Sequence, residues 1–317
     1  MTIKRNKINN IFTLGLREPQ PGDSKVSYSQ YTMYANCPKQ WKLNYMDGHR
    51  SFDPSLHLVF GTAMHETLQT WLDVLYNKSP KEASQIDLGK MLYDGMVAEY
   101  TKMRQQTGGD FSTPSEMEEF LEDGVEILNF ITKNRIDYFN TRQLKLVAIE
   151  LPIYAKAIES HNVNMMGFLD LVFEDTYQNK LVIWDIKTST NGWNKYQKAD
   201  KTKTAQLVLY KKFLSEQFGY PLDKIDVKYF IVKRKLMEGM MYAQKRVQEF
   251  VPSNGKPTLN KITKNFEDFI RNAFNEDGSY KTDSEFPAMA GKNNKNCKYC
   301  PFKNDFDKCP KENRHRV

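Results

Sequence analysis

Two aspartates and a lysine lie in apolar segments, where charged side chains are uncommon. Asp170 occurs in Gly-Phe-Leu-Asp-Leu-Val-Phe, and Asp185 occurs in Leu-Val-Ile-Trp-Asp-Ile-Lys, which ends at Lys187. Buried charges are normally paired with an opposite charge or bound to a metal ion. Because carboxylate oxygens are ligands for Mg²⁺ and Mn²⁺, these segments predict a divalent-metal site with an ammonium group beside it.

A β-hairpin would bring these side chains together. Residues 164–174 and 181–187 are β-rich and are separated by a polar turn. If they pair symmetrically, opposed residue numbers sum to about 355, which places Asp170 about 5 Å from Asp185. Lys187 shares a strand face with Asp185 because the two are two positions apart. Its ammonium could position a water or neutralise a phosphate; alternatively, it could simply pair with Asp185.

Three further side chains could complete such a site. Gln206 and Tyr210 are four residues apart on a predicted helix, so they share a face, and both can hydrogen-bond a phosphate or a base. The alternative is a surface glutamine and a half-buried tyrosine. His65 follows Gly61 by four residues in another predicted helix. A neutral imidazole can bind Mn²⁺, although a helical histidine can equally be structural.

The four cysteines have a spacing that indicates metal binding rather than disulfides. They are Cys37, Cys297, Cys300 and Cys309. A Cys-x-x-Cys pair lets two thiolates reach one metal ion, and neighbouring proline and polar turn residues are unlike the setting of buried structural cysteines. Four thiolates can hold zinc or an iron–sulfur cluster. The spacing alone leaves both open, although a compact zinc ribbon would place its second pair nearer.

The pattern of elements changes from helical to β-rich near residue 144. We expect a lead-in over residues 1–26, a helical region over 27–143, an α/β core over 144–285 and a Cys-rich tail over 286–317. Predicted helices cover 31–45 with a break at Cys37-Pro38, 61–76, 86–106, 114–140, 204–218 and 259–274. Predicted strands cover 144–156, 164–174, 181–187, 226–233 and 240–250.

Composition and charge narrow the class of protein. The chain has 317 residues, of which 40% are hydrophobic and 27% charged, as in globular proteins with a sizeable core. No apolar run approaches the roughly 20 residues of a membrane span, so a cytoplasmic protein is expected. Residues 180–246 hold 15 basic and 6 acidic residues, a net charge of +9 within a chain of net charge +7. This asymmetry favours a polyanionic partner such as DNA.

Four short motifs occur in a characteristic order: Gly61-x-x-x-His65, Gly167-Phe-Leu-Asp170, Asp185-Ile-Lys187-Thr and Gln206-x-x-x-Tyr210. In this order and spacing they resemble the RecB-like branch of the PD-(D/E)XK nucleases, over roughly residues 27–309. The resemblance implies an α/β fold with a restriction-endonuclease-like core, which is a mixed sheet flanked by helices, together with an N-terminal helical region and a C-terminal Cys-rich tail.

The resemblance also implies roles for individual residues. The metal ligands would be His65, Asp170, Asp185 and the carbonyl of Ile186, and the metal Mg²⁺ or Mn²⁺. Lys187 would assist the attacking water, while Gln206 and Tyr210 would contact DNA and help to hold the active site. Glu150 matches a glutamate on the preceding strand and is a possible supporting acid.

One early and three late cysteines resemble the pattern of iron–sulfur nucleases such as the AddB subunit and the CRISPR-adaptation nucleases. The resemblance implies a [4Fe–4S] cluster on Cys37, Cys297, Cys300 and Cys309, with zinc as the alternative. The eight residues between Cys300 and Cys309 are more than is usual for the family. The cluster would have a structural role, joining the helical region to the tail.

The sequence therefore predicts a metal-dependent DNA exonuclease of recombination, repair or DNA degradation, bacterial or phage-encoded. Residues 195–203 and 233–235 would hold the DNA backbone, and Trp193 and Tyr196 would stack on unpaired bases or else pack the sheet edge. Single strands or free ends are the favoured substrates. No Gly-x-x-x-x-Gly-Lys-Ser/Thr motif occurs, so unwinding would need a separate helicase or recombination partner. The alternatives are a catalytically silent DNA-binding scaffold of the same fold and an unrelated zinc-binding module.

Overall fold

The structure is a computed structural model that describes residue 12 and residues 15–50 and 52–315, so half of the expected lead-in lies outside the described residues. In the described part, a six-stranded mixed sheet forms the centre. Its strands are β1 (Ser24–Val26), β2 (Leu144–Lys156), β3 (Val163–Asp175), β4 (Lys180–Ser189), β5 (Ile225–Lys233) and β6 (Val247–Phe250). A short pair, β7 (Ala288–Met289) and β8 (Arg314–His315), lies in the tail.

The sheet has a gap in strand pairing along one edge of β3. β2 pairs with β3 from Asn164 to Asp175, so β1 and β4 must share the opposite edge. β1 pairs in parallel with residues 163–165 of β3, and β4 pairs antiparallel with residues 171–175. Among the described residues, 166–170 therefore have no strand partner on that edge. β4 and β5 are parallel, and β5 and β6 are antiparallel, which gives the mixed sheet expected from the sequence.

Helices cover both faces of the sheet. They are α1 (Tyr28–Asn36), α2 (Pro38–Trp41), α3 (Leu56–Asn77), α4 (Pro80–Ala83), α5 (Leu88–Thr107), α6 (Pro114–Lys133), α7 (Arg135–Tyr138), α8 (Lys195–Ala199), α9 (Lys201–Phe218) and α10 (Lys256–Ala273), and a π-helical turn follows α2 at Lys42–Met46. The predicted break is confirmed, because Cys37 has an extended backbone and Pro38 begins the next helix.

Two predicted boundaries were wrong, and one strand was not predicted. α3 begins at Leu56 rather than at Gly61, because the Ser55 hydroxyl accepts a hydrogen bond from the Leu58 amide and caps the helix. β6 is limited to Val247–Phe250, since only these residues pair with β5. β1 was missed because three residues carry too little periodicity to be recognised without their partner strand.

Neighbouring residues of β4 belong to opposite faces of the sheet, as strand geometry requires. Trp184 packs with α3, α5 and α6 in one buried cluster. Ile183 packs with α9 and α10 in another. Asp185 and Lys187 share the face of Ile183 by this alternation, so they are directed towards α9. The helical region and the sheet thus have a common hydrophobic core, and the sheet carries the acidic residues between two helical layers.

Candidate active site

Asp170 and Asp185 meet where the pairing of β3 with β4 ends. The paired residues run from Asp175–Lys180 to Leu171–Trp184, which confirms the register predicted from the sequence. One step further, Asp170 stands opposite Asp185. There the Ile186 amide donates a hydrogen bond to Asp170 Oδ2 at 2.8 Å, so a carboxylate takes the place of a backbone partner. The two acids thus lie at the edge of the gap in the sheet.

This pair of carboxylates is built to receive a positive charge. Asp185 is 2% exposed, and its Oδ2 atom has no hydrogen-bond partner among the described residues. Burial, followed by the charge of Asp185, raises the pKa of Asp170 well above its ordinary value. A buried oxygen without a hydrogen bond beside a second carboxylate has the donor chemistry of a Mg²⁺ or Mn²⁺ site.

Lys187 joins the acids to α9. Its Nζ atom lies 2.8 Å from Asp185 Oδ2, close enough for an ion pair but without hydrogen-bond geometry, and it donates to Gln206 Oε1 at 3.0 Å. Burial disfavours the charged amine, but Asp185 and Asp170 outweigh this and raise the pKa of Lys187. The simple ion pair considered from the sequence is therefore present, and it also fixes an ammonium group beside the two acids.

Gln206 and Tyr210 extend this chain of contacts. Gln206 Nε2 lies 3.4 Å from the Tyr210 hydroxyl, and Tyr210 is buried rather than half-exposed. Gly167 is required here, because a Cβ atom at this position would lie 2.8 Å from the Tyr210 ring. The glycine of the Gly-Phe-Leu-Asp motif thus lets α9 approach β3.

His65 reaches the acids from α3, on the other side of the sheet. Its Nδ1 atom lies 3.6 Å from Asp170 Oδ2, and it makes a hydrogen bond to the backbone of Ile186. Burial lowers the pKa of His65 to about 4 despite the opposing effect of Asp185, so the imidazole is neutral near pH 7. A neutral imidazole can serve as a metal ligand. Gly61, one turn earlier, lets the helix approach β4, since a Cβ atom there would lie 3.3 Å from Thr188 Oγ1.

Glu150 and Gln69 form a second contact behind the acids. Glu150 has a φ of 50° in the middle of β2, an uncommon conformation for a residue other than glycine. Gln69 Nε2 donates to Glu150 Oε1 at 2.5 Å and to the Asp170 carbonyl at 3.3 Å. Burial raises the pKa of Glu150. The sequence analysis missed Gln69; its only signal is a position one helical turn after His65.

An open groove runs past this site. Its walls come from α1, the unpaired part of β3, the end of β4, α9 and the Cys-rich tail. Asp170, Lys187, Gln206 and Tyr210 all line it, and Lys203 supplies a further positive charge. The groove thus connects the acids to solvent and to the tail.

The structure gives two of the predicted DNA-binding groups contacts within the protein. Trp193 is buried, with its ring 4.8 Å from that of Tyr229, so it packs the sheet edge; Tyr196 is exposed. In segment 233–235, Arg234 donates to Asp123 at 2.7 Å, and Lys235 lies 2.9 Å from the same carboxylate. These charges hold α6 against the sheet.

All four cysteines line one pocket between α2 and the tail. Cys37 and Cys309 are buried, contrary to the expectation from their polar sequence neighbours. Burial raises the pKa of the Cys37 and Cys300 thiols, and the Met289 amide donates to Cys37 Sγ at 3.3 Å. Thiols that surround a common pocket have the donor chemistry for zinc or an iron–sulfur cluster.

The described residues contain no group of three or more His, Cys, Asp or Glu side chains already close enough together to hold a metal ion. Within the same part of the chain, none of the helices has the length and apolar character needed to cross a bilayer.

Comparisons with known proteins identify the family. Residues 25–304 match the model of the PD-(D/E)XK nuclease superfamily. A comparison with curated proteins finds no match. Among solved structures, the chain is similar to a protein from Eubacterium rectale described as a "Putative exonuclease", with 10% identity and a TM-score of 0.43 over 79% of this chain and 81% of that one. On the family match and the mixed sheet flanked by helices, this chain belongs to the PD-(D/E)XK nuclease superfamily.

Proposed function

We propose that this chain is a metal-dependent exonuclease that hydrolyses phosphodiester bonds of DNA in recombination, repair or DNA degradation. The observation that carries the proposal is the meeting of Asp170 and Asp185, with Lys187 Nζ 2.8 Å from an Asp185 oxygen that lacks a hydrogen bond. Two buried carboxylates favour a divalent cation, and the ammonium group favours a phosphate beside it.

Four groups would hold the cation: the carboxylates of Asp170 and Asp185, the imidazole of His65 and the carbonyl of Ile186. The oxygen ligands suit Mg²⁺ or Mn²⁺, and the neutral imidazole can bind Mn²⁺. When bound, such an ion supplies Lewis acidity to the phosphate and lowers the pKa of the attacking water.

The chain's own residues then orient the reaction. Lys187 would hold the attacking water and stabilise negative charge on the phosphate, and Gln206 keeps its ammonium in place through the 3.0 Å hydrogen bond. Tyr210, packed against Gly167, would contact DNA with its hydroxyl. Glu150, whose pKa burial raises, is the supporting acid in this proposal.

The exonucleolytic mode is supported by the Gln206-x-x-x-Tyr210 motif, which resembles that of the RecB-like branch. DNA with single strands or free ends is the proposed substrate. The sequence has no nucleotide-binding P-loop, so a separate helicase or recombination protein would have to supply any unwinding.

The cysteine pocket is proposed to hold a [4Fe–4S] cluster with a structural role. It is supported by four thiols around one pocket and by their order in the sequence, with zinc as the competing occupant. Iron, sulfide and zinc analysis of protein purified without air tests this. Four irons and four sulfides per chain support the cluster, whereas one zinc without iron refutes it.

The nuclease is tested on end-labelled single-stranded, duplex and closed circular DNA with Mg²⁺, Mn²⁺ or EDTA. Wild type is compared with Asp185→Asn and with the control Asp226→Asn, whose carboxylate pairs with Lys180 on the surface. We expect metal-dependent loss of linear DNA in wild type and the control, and intact DNA with Asp185→Asn. Cleavage of closed circles would refute the exonucleolytic mode, and intact DNA under every condition would favour the catalytically silent scaffold.

A further inference from the structure

Two aromatic side chains line the groove without being part of the core. Phe168 lies on β3, and Tyr299 lies in the tail between Cys297 and Cys300; both rings border the groove that contains Asp170. Phe168 is 37% exposed and Tyr299 is 84% exposed. Neither ring packs against another aromatic ring among the residues that the structure describes. Large apolar groups exposed at one site commonly mark a binding surface.

The fold explains why Phe168 stays exposed. It lies in the stretch of β3 that has no strand partner on the edge shared by β1 and β4. Its neighbour Gly167 is covered by the Tyr210 ring, which fixes the backbone beside the acids. The side chain of Phe168 therefore borders the groove two residues before Asp170, on a rigid strand.

Tyr299 lies on the wall of the groove that is formed by the Cys-rich tail. Asn296 anchors the start of its loop, because Nδ2 donates to the Asn36 carbonyl at 2.7 Å and to the Met289 carbonyl at 3.1 Å. The Lys298 ammonium lies 5.1 Å from the centre of the Tyr299 ring, and Lys295 lines the groove beside it. A ring with ammonium groups next to it suits a base attached to a phosphate.

We propose that Phe168 and Tyr299 form two stacking positions for unpaired bases, so that the groove takes single-stranded DNA or an unpaired end. This rests on the DNA binding in the proposed function and names the residues that would select unpaired bases. Bases inside a duplex are already stacked on their neighbours, so rings on the groove walls stack most readily on bases that are unpaired. The two rings take the role that the sequence analysis gave to Trp193.

The test is direct binding of oligonucleotides that carry 2-aminopurine, with Ca²⁺ in place of Mg²⁺ and in the Asp185→Asn background, so that cleavage does not interfere. Phe168→Ala and Tyr299→Ala are each expected to weaken single-strand binding roughly 5- to 150-fold, since a stacked base contributes about 1–3 kcal/mol. They are also expected to restore part of the 2-aminopurine fluorescence. Tyr299→Phe keeps the ring and should bind like its parent.

Tyr177→Ala is the matched control, because Tyr177 is 71% exposed but lies at the β3–β4 turn, away from the groove. The metal content of Tyr299→Ala must equal that of its parent, which separates stacking from damage to the cysteine pocket. Equal losses on blunt duplex and single-stranded DNA, or losses no larger than with Tyr177→Ala, would overturn the stacking proposal. If stacking is confirmed while wild type cleaves no DNA, the nuclease proposal fails and this one stands.

Discussion

Lys187→Met removes the ammonium group beside the acids and keeps a side chain of similar length. In the structure, Nζ lies 2.8 Å from Asp185 Oδ2. At an effective dielectric constant of 20, two unit charges at this distance attract each other by about 6 kcal/mol, part of which is offset by the loss of hydration. Breaking a buried pair costs roughly 3–5 kcal/mol. Because the lysine side chain is 32% exposed, we expect a loss of about 3 kcal/mol in the free energy of unfolding in EDTA.

Two measurements separate the catalytic from the structural effect of Lys187→Met. The turnover number on linear DNA should fall roughly 100- to 1,000-fold, as it does when a preorganised donor to developing charge is removed. Thermal unfolding should show that Mn²⁺ raises the Tm of the variant more than that of wild type, because the ion replaces the missing positive charge between the carboxylates.

The control for this experiment is Lys211→Met. Lys211 is a buried lysine on α9. Its ammonium donates to Asn254 at 2.9 Å, and its side chain does not line the groove. Its replacement should lower stability and leave the turnover number per folded molecule unchanged. Turnover of Lys187→Met within about threefold of wild type would show that the reasoning about its ammonium is wrong.

Three further changes test other parts of the structure. Arg234→Met should lower the free energy of unfolding by roughly 3 kcal/mol, since it leaves the buried Asp123 with a weaker partner. The salt dependence of DNA binding should stay as in wild type. A smaller salt dependence in the variant would show that Arg234 contacts DNA. Cys37→Ser should remove the visible colour of anaerobically purified protein and lower its Tm, whereas retained colour with normal stability would contradict the cluster proposal. Asp170→Asn should raise the Tm in EDTA by a few degrees while abolishing cleavage, because the raised pKa of Asp170 means that folding disfavours its ionised form. Above the ordinary pKa that Asp170 has in the unfolded chain, this cost grows as the pH rises towards the folded-state pKa. The gain should therefore be larger at pH 8 than at pH 5, and a gain independent of pH would refute it. For the same reason, Mn²⁺ affinity measured by calorimetry should increase with pH.

The β3–β4 hairpin could be predicted from the sequence because the pairing of its strands depends on residues that are close together in the chain. Symmetric pairing of two apolar segments around a short turn fixes which residues are opposed, and the structure has this register. Helix existence was also predictable, since α3, α5 and α6 carry a strong apolar periodicity. The chain order of the motifs added the expectation that α9 faces the acids.

The parts that the sequence could not determine depend on contacts between distant segments. The sequence of segment 233–235 indicates a basic patch. Only the folded structure shows that Asp123, more than a hundred residues away, lies beside Arg234 and pairs with it. The sequence leaves Trp193 between base stacking and packing of the sheet edge, and only its contact with Tyr229 on β5 shows that the ring packs. The left-handed backbone of Glu150 has no sequence signal, because glutamate rarely adopts this conformation.

Asn296 donates a hydrogen bond to the Asn36 carbonyl, 260 residues earlier in the chain, so the two partners are synthesised at different times. Ribosomes add roughly 5–20 residues per second, so on the order of 10–50 s separate the synthesis of the two partners. Asp170, Asp185 and Lys187 emerge before the tail, which brings Tyr299 and three of the four thiols. A nascent chain therefore carries its acids before it has one wall of the groove, and the groove is complete only after the tail has emerged and docked.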